Sequence, residues 1–162
     1  MALTTFKPLY GTDEQGITIT IASLAASATV GRESTAVDNS SNRYDDVLIF
    51  VVFETGTVAG NKQILLWAYG TADGGSTYTE SATGSDAAFT RKDPTLLRPV
   101  AVIPAVTNAY VHRCGPFSLA RAFGGVLPDH WGLVFNNDSG ATLSGTAGNN
   151  KIFYQGVNIQ GV

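Results

Sequence analysis

Gly115–Leu143, GPFSLARAFGGVLPDHWGLVFNNDSGATL, is the stretch whose reading decides the fold class. Pro116 opens an extended run, Gly124-Gly125 break it, and Leu127-Pro128 restart it. WGLVF (131–135) then forms a short apolar strand, and a polar turn over Asn136–Gly140 hands over to ATLS. Short apolar runs bounded by Gly, Pro, Asn and Asp signal an all-β domain. Nothing in the stretch has the form of a catalytic device.

Working outward, Ile17, Ile19 and Ile21 alternate with Thr18, Thr20 and Ala22, the period-two pattern of a strand with one buried face. Leu24–Val30 reads as a continuation of that strand or as one helical turn, and Gly31–Arg43 as a polar connection. Asp46–Glu54 holds the run VLIFVVF, the pattern of a strand covered on both faces, so its outer face needs a loop or another subunit over it. After the turn Thr55–Asn61, KQILLWAYG (62–70) supplies a second strand, and Asp46–Gly70 reads as a hairpin or a neighbouring pair. Leu97–Val106 carries Pro99 and Pro104 and belongs at a sheet edge, or is broken in the middle. Asn108–Cys114 alternates again, and KIFYQGVNI (151–159) is the last strand. About eight strands with long connections, and no helical run, predict a jelly-roll or Greek-key β-sandwich. Residues 17–162 form that single domain.

Two segments fall outside the strand pattern. Residues 1–16 lack strand periodicity but carry Phe6, Pro8, Leu9 and Tyr10. They fold along the domain surface, or they form an arm whose apolar residues dock on a neighbouring subunit; aromatic anchors dominate interface energetics. Thr71–Pro94 is a long, Gly- and Ser-rich crossover over one end of the sandwich with room for one short strand, and Asp93-Pro94 could start a helical turn. Loops beyond ~12–15 residues are usually functional or mobile, which makes this a second contact candidate.

The chain has 162 residues, 44% of them hydrophobic, enough for one core without a disulfide or metal staple. Charged residues are only 14%, which suits a sandwich packed against like neighbours better than a free enzyme. The net charge of −3 and scattered cations give no phosphate-binding patch, so direct nucleic-acid binding is not expected. The longest apolar run is too short for a membrane span, no leader pattern is visible, and the lone Cys114 fits a reducing compartment; a soluble protein is expected.

The candidate chemistry is sparse. His112 and His130 have no partner at metal-ligand spacing, and Arg113 beside His112 opposes a cation. Cys114 shares a strand face with His112 two positions away, a spacing incidental to alternation. The doublets Asp13-Glu14 and Asp45-Asp46 point to opposite strand faces, unlike a glycosidase pair. The turns Asp38–Asn42 and Asn136–Gly140 offer oxygens without an EF-hand pattern. Trp67 and Trp131 sit in apolar runs and read as core. Neither a catalytic residue nor a cofactor or metal site is expected.

Three segments together, STAVDNSSNRYDDVLIFVVFETGT (34–57), the Gly115–Leu143 stretch and FYQGVNIQ (153–160), resemble the decoration or cement proteins of tailed bacteriophage capsids, small jelly-roll virion proteins. The likeness spans roughly residues 34–159 and rests on strand and turn patterns. It implies a protein made in the host cytoplasm that binds the outer surface of the capsid in many copies. Its partners would be the major capsid protein and itself, as a dimer or trimer, and it would bridge capsid subunits through multivalent contacts. A carbohydrate-binding or receptor-contacting sandwich of a phage fibre or baseplate is the alternative, with Trp131, Tyr78 and Tyr154 as its stacking residues. A cupin-like enzyme is the third.

Overall fold

Alternation in the two longest apolar runs builds the sandwich. In the strand Asp46–Glu54, Val47, Ile49, Val51 and Phe53 are wholly buried, whereas Leu48 and Phe50 are half-buried. In Gln63–Thr71, Ile64, Leu66 and Ala68 are buried on the same rhythm. These two aliphatic faces meet, with Trp131, Leu133 and Phe135 beside them and Ile152 and Tyr154 opposite, in one core. The structure, a computed structural model, describes residues 5–161.

The described strands are β1 (Phe6–Tyr10), β2 (Gln15–Ile17), β3 (Val30–Glu33), β4 (Val37–Asp38), β5 (Asp46–Glu54), β6 (Gln63–Thr71), β7 (Ala87–Thr90), β8 (Arg98–Pro104), β9 (Val111–Ser118), β10 (His130–Asp138) and β11 (Lys151–Gly161). One sheet has the order β1-β11-β5-β9, with β2 also on β11. The other has the order β7-β3-β10-β6-β8, with β4 also on β10. Every pairing is antiparallel. The protein is an all-β sandwich. β8 lies at a sheet edge, where its prolines belong, and its register slips between Leu66 and Trp67 of β6, opposite Pro99.

Several sequence expectations need correction. Eleven strands are described, not about eight, because short strands were hidden in polar text. Residues 1–16 contain β1 and the first two residues of β2, although residues 1–4 lie outside the described residues. The alternating Ile17–Ile21 is a strand only up to Ile17. Beyond it the chain crosses to the second sheet, with Ile17 and Ile21 still buried and the Thr18 carbonyl accepting the Thr35 N–H (2.8 Å). β5 and β6 form no hairpin: they lie in different sheets, because each needs its aliphatic face at the shared core. Gly31–Arg43 is no mere connection, since it holds β4 and most of β3.

The expected turn at Asn136 starts later. β10 runs to Asp138, and Asn136 and Asn137 are wholly buried. Asn137 faces the core side and donates Nδ2 to the carbonyls of Leu24 (2.9 Å) and Ala141 (2.8 Å), so a polar residue closes the strand end from inside.

On the outer face of β10, Tyr69 lies across Gly132 and donates its hydroxyl to the buried Ser34 carbonyl at 2.5 Å. A Cβ on Gly132 would stand 2.2 Å from the Tyr69 ring, whereas one on Gly16 would meet nothing within 4 Å. Gly132→Ala is therefore expected to cost about 1–3 kcal/mol in urea unfolding, as overpacking does. Gly16→Ala is expected to stay within about 1 kcal/mol of the parent protein.

Candidate partner-docking site

β1 pairs only with the far end of β11, in the register Phe6–Gly161, Pro8–Ile159 and Tyr10–Val157. The partnership of β11 with β5 stops at Val157. From residue 158 onward the sheet is thus a two-stranded ribbon, and all five residues of β1 are exposed. Phe6, Pro8 and Tyr10 share the outer face with Val157 and Ile159, while Leu9 points to the other. Phe6 is 68%, Tyr10 55%, Leu9 49% and Ile159 62% exposed. A free two-stranded ribbon is marginal in water. Burying each such side chain is worth about 1.5–3 kcal/mol before the costs of association.

The root of the ribbon is fixed. Ile159 donates its N–H to Asp45 Oδ2 (2.7 Å), and Asn158 Oδ1 accepts the Asp45 N–H (3.3 Å). Tyr44 covers Gly156 and Gly11, where a Cβ would come within 2.3 Å of its ring and 2.7 Å of its hydroxyl, respectively. The Ile159 N–H therefore points away from β1, and the Pro8–Ile159 pair exchanges no backbone hydrogen bonds. Pro8 faces the open edge, where it offers no N–H. That blunts the edge against strand addition and leaves side chains as the means of contact.

The four residues singled out from sequence are thus brought together on one element. Sequence reasoning missed Val157 and Ile159, their cross-strand neighbours. The alternation of KIFYQGVNI places them on the face of Phe153, but only the register shows that β1 lies beside them.

The second candidate, Thr71–Pro94, is tied down along its length by carboxylates. It contains β7, as one short strand was expected, and a single 3-10 turn at Thr79–Ser81; Asp93-Pro94 starts no helix. Asp73 takes the Thr71 hydroxyl first, then the N–H groups of Thr77 and Ser76, and these hold its carboxyl down to about 2. Glu80 is buried and accepts the N–H groups of Lys92 (2.5 Å), Leu96 (2.5 Å) and Leu97 (3.2 Å) and the Thr95 hydroxyl (2.6 Å). Burial alone would raise its carboxyl; the four donors outweigh that and lower it. Buried Glu33 takes the N–H and hydroxyl of Thr83. Asp86 pairs with Arg32 Nε (2.6 Å) and with the N–H and hydroxyl of Thr20. Its burial opposes ionisation, yet the Arg32 and Thr20 bonds bring it down to about 2. So anchored, the segment packs Ala82 and Phe89, joined by Leu97 just beyond it, on Tyr69 and Val134 as a second small core, with Tyr78 set edge-on to Tyr69.

The remaining candidates do not converge. His112 and His130 lie on different sheets. His112 stacks on Phe53 at 4.7 Å, and burial lowers its pKa. His130 sits 3.7 Å from both Asp38 and Asp129. Burial pushes the Cys114 thiol up, the opposite of an activated nucleophile. Among the described residues, no group of three His, Cys, Asp or Glu side chains is placed to hold a metal ion. Trp131 is wholly buried against Tyr154, itself buried, so neither forms an exposed sugar platform. Trp67 is half-buried beneath the Arg91 guanidinium, on the outer face rather than in the main core. No helix among the described residues is long and apolar enough to cross a membrane.

Compared with protein-family models, curated proteins and solved structures, the chain finds no match.

Two outcomes follow from these contacts. The carboxyl of Asp86 is lower folded than its ordinary 3.8, so its stabilisation is complete above pH ~4 and fades as pH falls toward about 2. Asp86→Asn is expected to lose on the order of 1 kcal/mol at pH 7, after allowance for solvent at the pair, and to match the parent protein near pH 2; urea titrations at the two pH values check this. Pro8→Val restores an N–H to the open edge and is expected to promote concentration-dependent aggregation, read by light scattering, with unchanged circular dichroism.

Proposed function

We propose that this chain is a structural docking protein that decorates the outside of a phage capsid and links its subunits. The observation that carries the docking half of the reading is the ribbon of β1 and the end of β11, with Phe6, Leu9, Tyr10 and Ile159 held out on a rigid root. Support for the capsid half is the likeness of residues 34–57, 115–143 and 153–160 to decoration proteins of tailed phages. In this reading the ribbon seats on the major capsid protein. A modest contact repeated over many copies then stiffens the shell by effective concentration rather than by single-site affinity. The carbohydrate-binding alternative has lost two of its three stacking residues to the core, leaving only Tyr78 half-exposed.

The test is co-sedimentation with expanded capsids that lack the protein, followed by thermal disruption of the shells. The parent protein is expected to co-sediment and to raise the disruption temperature. Phe6→Asp combined with Leu9→Asp is expected to weaken binding by ~100-fold or more, since two apolar anchors are lost, with unchanged circular dichroism. Failure of the parent protein to bind refutes the capsid reading; undiminished binding by the double variant refutes the ribbon as its contact.

A further inference from the structure

Glu33 and Glu80 are the charged side chains buried among the described residues, and both bind the cover that the chain lays over the six-stranded sheet between β6 and β8. Asp73 and Asp86 tie down the rest of it. The main core between the sheets holds aliphatic and aromatic side chains and no carboxylate. Asp45, Asp46 and Asp138, which accept hydrogen bonds within the sandwich, are exposed or half-exposed. Little else fastens the cover. Its middle is held by the β7–β3 ladder, by the Arg91 N–H on the Thr29 carbonyl (2.9 Å) and by the Arg91 guanidinium over Trp67. Either side of that, the bonds to the sheet without a carboxylate are few: the Ala36 N–H to the Gly84 carbonyl (3.0 Å) and the Thr79 hydroxyl to the Gly70 carbonyl (3.1 Å).

From this arrangement we infer that the cover is an acid-opened flap: protonation of its carboxylates releases residues 72–86 and 92–97 while β7 stays on β3 and the sandwich stays folded. Glu80 shows the cause. Its Oε1 accepts the Lys92 N–H, and its Oε2 accepts the N–H groups of Leu96 and Leu97 and the Thr95 hydroxyl. A protonated carboxyl is itself a donor, so a proton on either oxygen confronts a donor already there, and the brace between the 3-10 turn and residues 92–97 breaks. No cation pairs with Glu80 to hold it otherwise. Asp86 faces Arg32, on which Glu33 also acts, and Thr20. Glu33 itself faces Thr83 and the Tyr69 hydroxyl. Asp73 faces Thr71, Ser76 and Thr77, with Tyr78, His130, Asp38 and Asp129 around the same turn. The carboxyls of Asp73, Glu80 and Asp86 lie below their ordinary 3.8, 4.5 and 3.8 in the folded protein, so their ties are complete above those values and weaken as the pH falls, for the two aspartates toward about 2. Opening uncovers Tyr69, Trp67 and Val134, an apolar patch that the neutral protein keeps shut. The ribbon of β1 takes no part, so the inference stands apart from the capsid reading.

Hydrogen exchange of the whole chain tests it, read by mass spectrometry in steps from about pH 7 to about pH 2 and corrected for the intrinsic pH dependence of exchange. Residues 72–86 and 92–97 are expected to exchange at least ~10-fold faster at the acid end, because several carboxylates lose their donors together. β5, β6, β10 and β11 are expected to keep their protection, and far-UV circular dichroism its β signal. Anilinonaphthalene sulfonate is expected to gain fluorescence on the uncovered patch. Glu80→Gln, whose amide turns an N–H toward the same donors, is expected to open residues 92–97 already at about pH 7. A cover that stays protected to the acid end overturns the inference, as does loss of protection by cover and strands at one pH, or a Glu80→Gln variant as protected as the parent. Circular dichroism shows whether that variant has folded; if it has not, Asp86→Asn replaces it, with faster exchange of residues 72–86 at about pH 4 than in the parent as the expected result and equal exchange as the refuting one.

Discussion

Two stacked sheets have four faces, and only two of them cover each other; everything else in this molecule answers to the remaining pair. Apolar strand surface left in water is unfavourable by ~25 cal/mol per Å², so apolar side chains on either outer face gain from being covered. On the six-stranded side the chain covers itself: the long segment between β6 and β8 lays Ala82, Phe89 and Leu97 over Tyr69 and Val134. On the five-stranded side no such layer is drawn from the described chain, and Phe50, Phe153, Ile159 and β1 remain at least partly open.

The covering segment also shows how a polar sequence is held in one conformation. Glu80, with a left-handed φ of 58°, gathers four donors from residues 92–97, and Asp86 ties β7 back to Arg32 and Thr20. A carboxylate that accepts several N–H groups fixes several backbone positions with one side chain. The outer layer therefore owes its order to a few anionic hubs rather than to regular secondary structure.

Short apolar and alternating runs in the sequence were enough to locate the sandwich, and Pro99 and Pro104 to place β8 at an edge, since these signals are local; the unbroken apolar run of β5 named no single buried face. Local signals failed where a residue's place is set by a distant partner. The Asp46–Gly70 stretch reads as a hairpin because neighbouring strands usually pair, yet both strands turn their aliphatic faces to a common core from opposite sheets. Asn136-Asn137 reads as a turn because asparagine favours turns; Asn137 is instead a buried bracket for the carbonyls of Leu24 and Ala141. Of the candidate site, Phe6, Pro8, Leu9 and Tyr10 were visible as an apolar cluster in an aperiodic segment. Their presentation on a paired ribbon was not, because the pairing joins residues some 150 positions apart. Glu33 and Glu80 look like ordinary solvated charges in the sequence, and only their donors mark them as buried.

That long-distance pairing has a bearing on timing. On the ribosome, β1 emerges some 150 residues ahead of the strand that pairs with it, so a nascent chain holds Phe6 and Tyr10 without the scaffold that presents them. The paired presentation of these side chains therefore forms only after β11 has been made, a contact of high sequence separation.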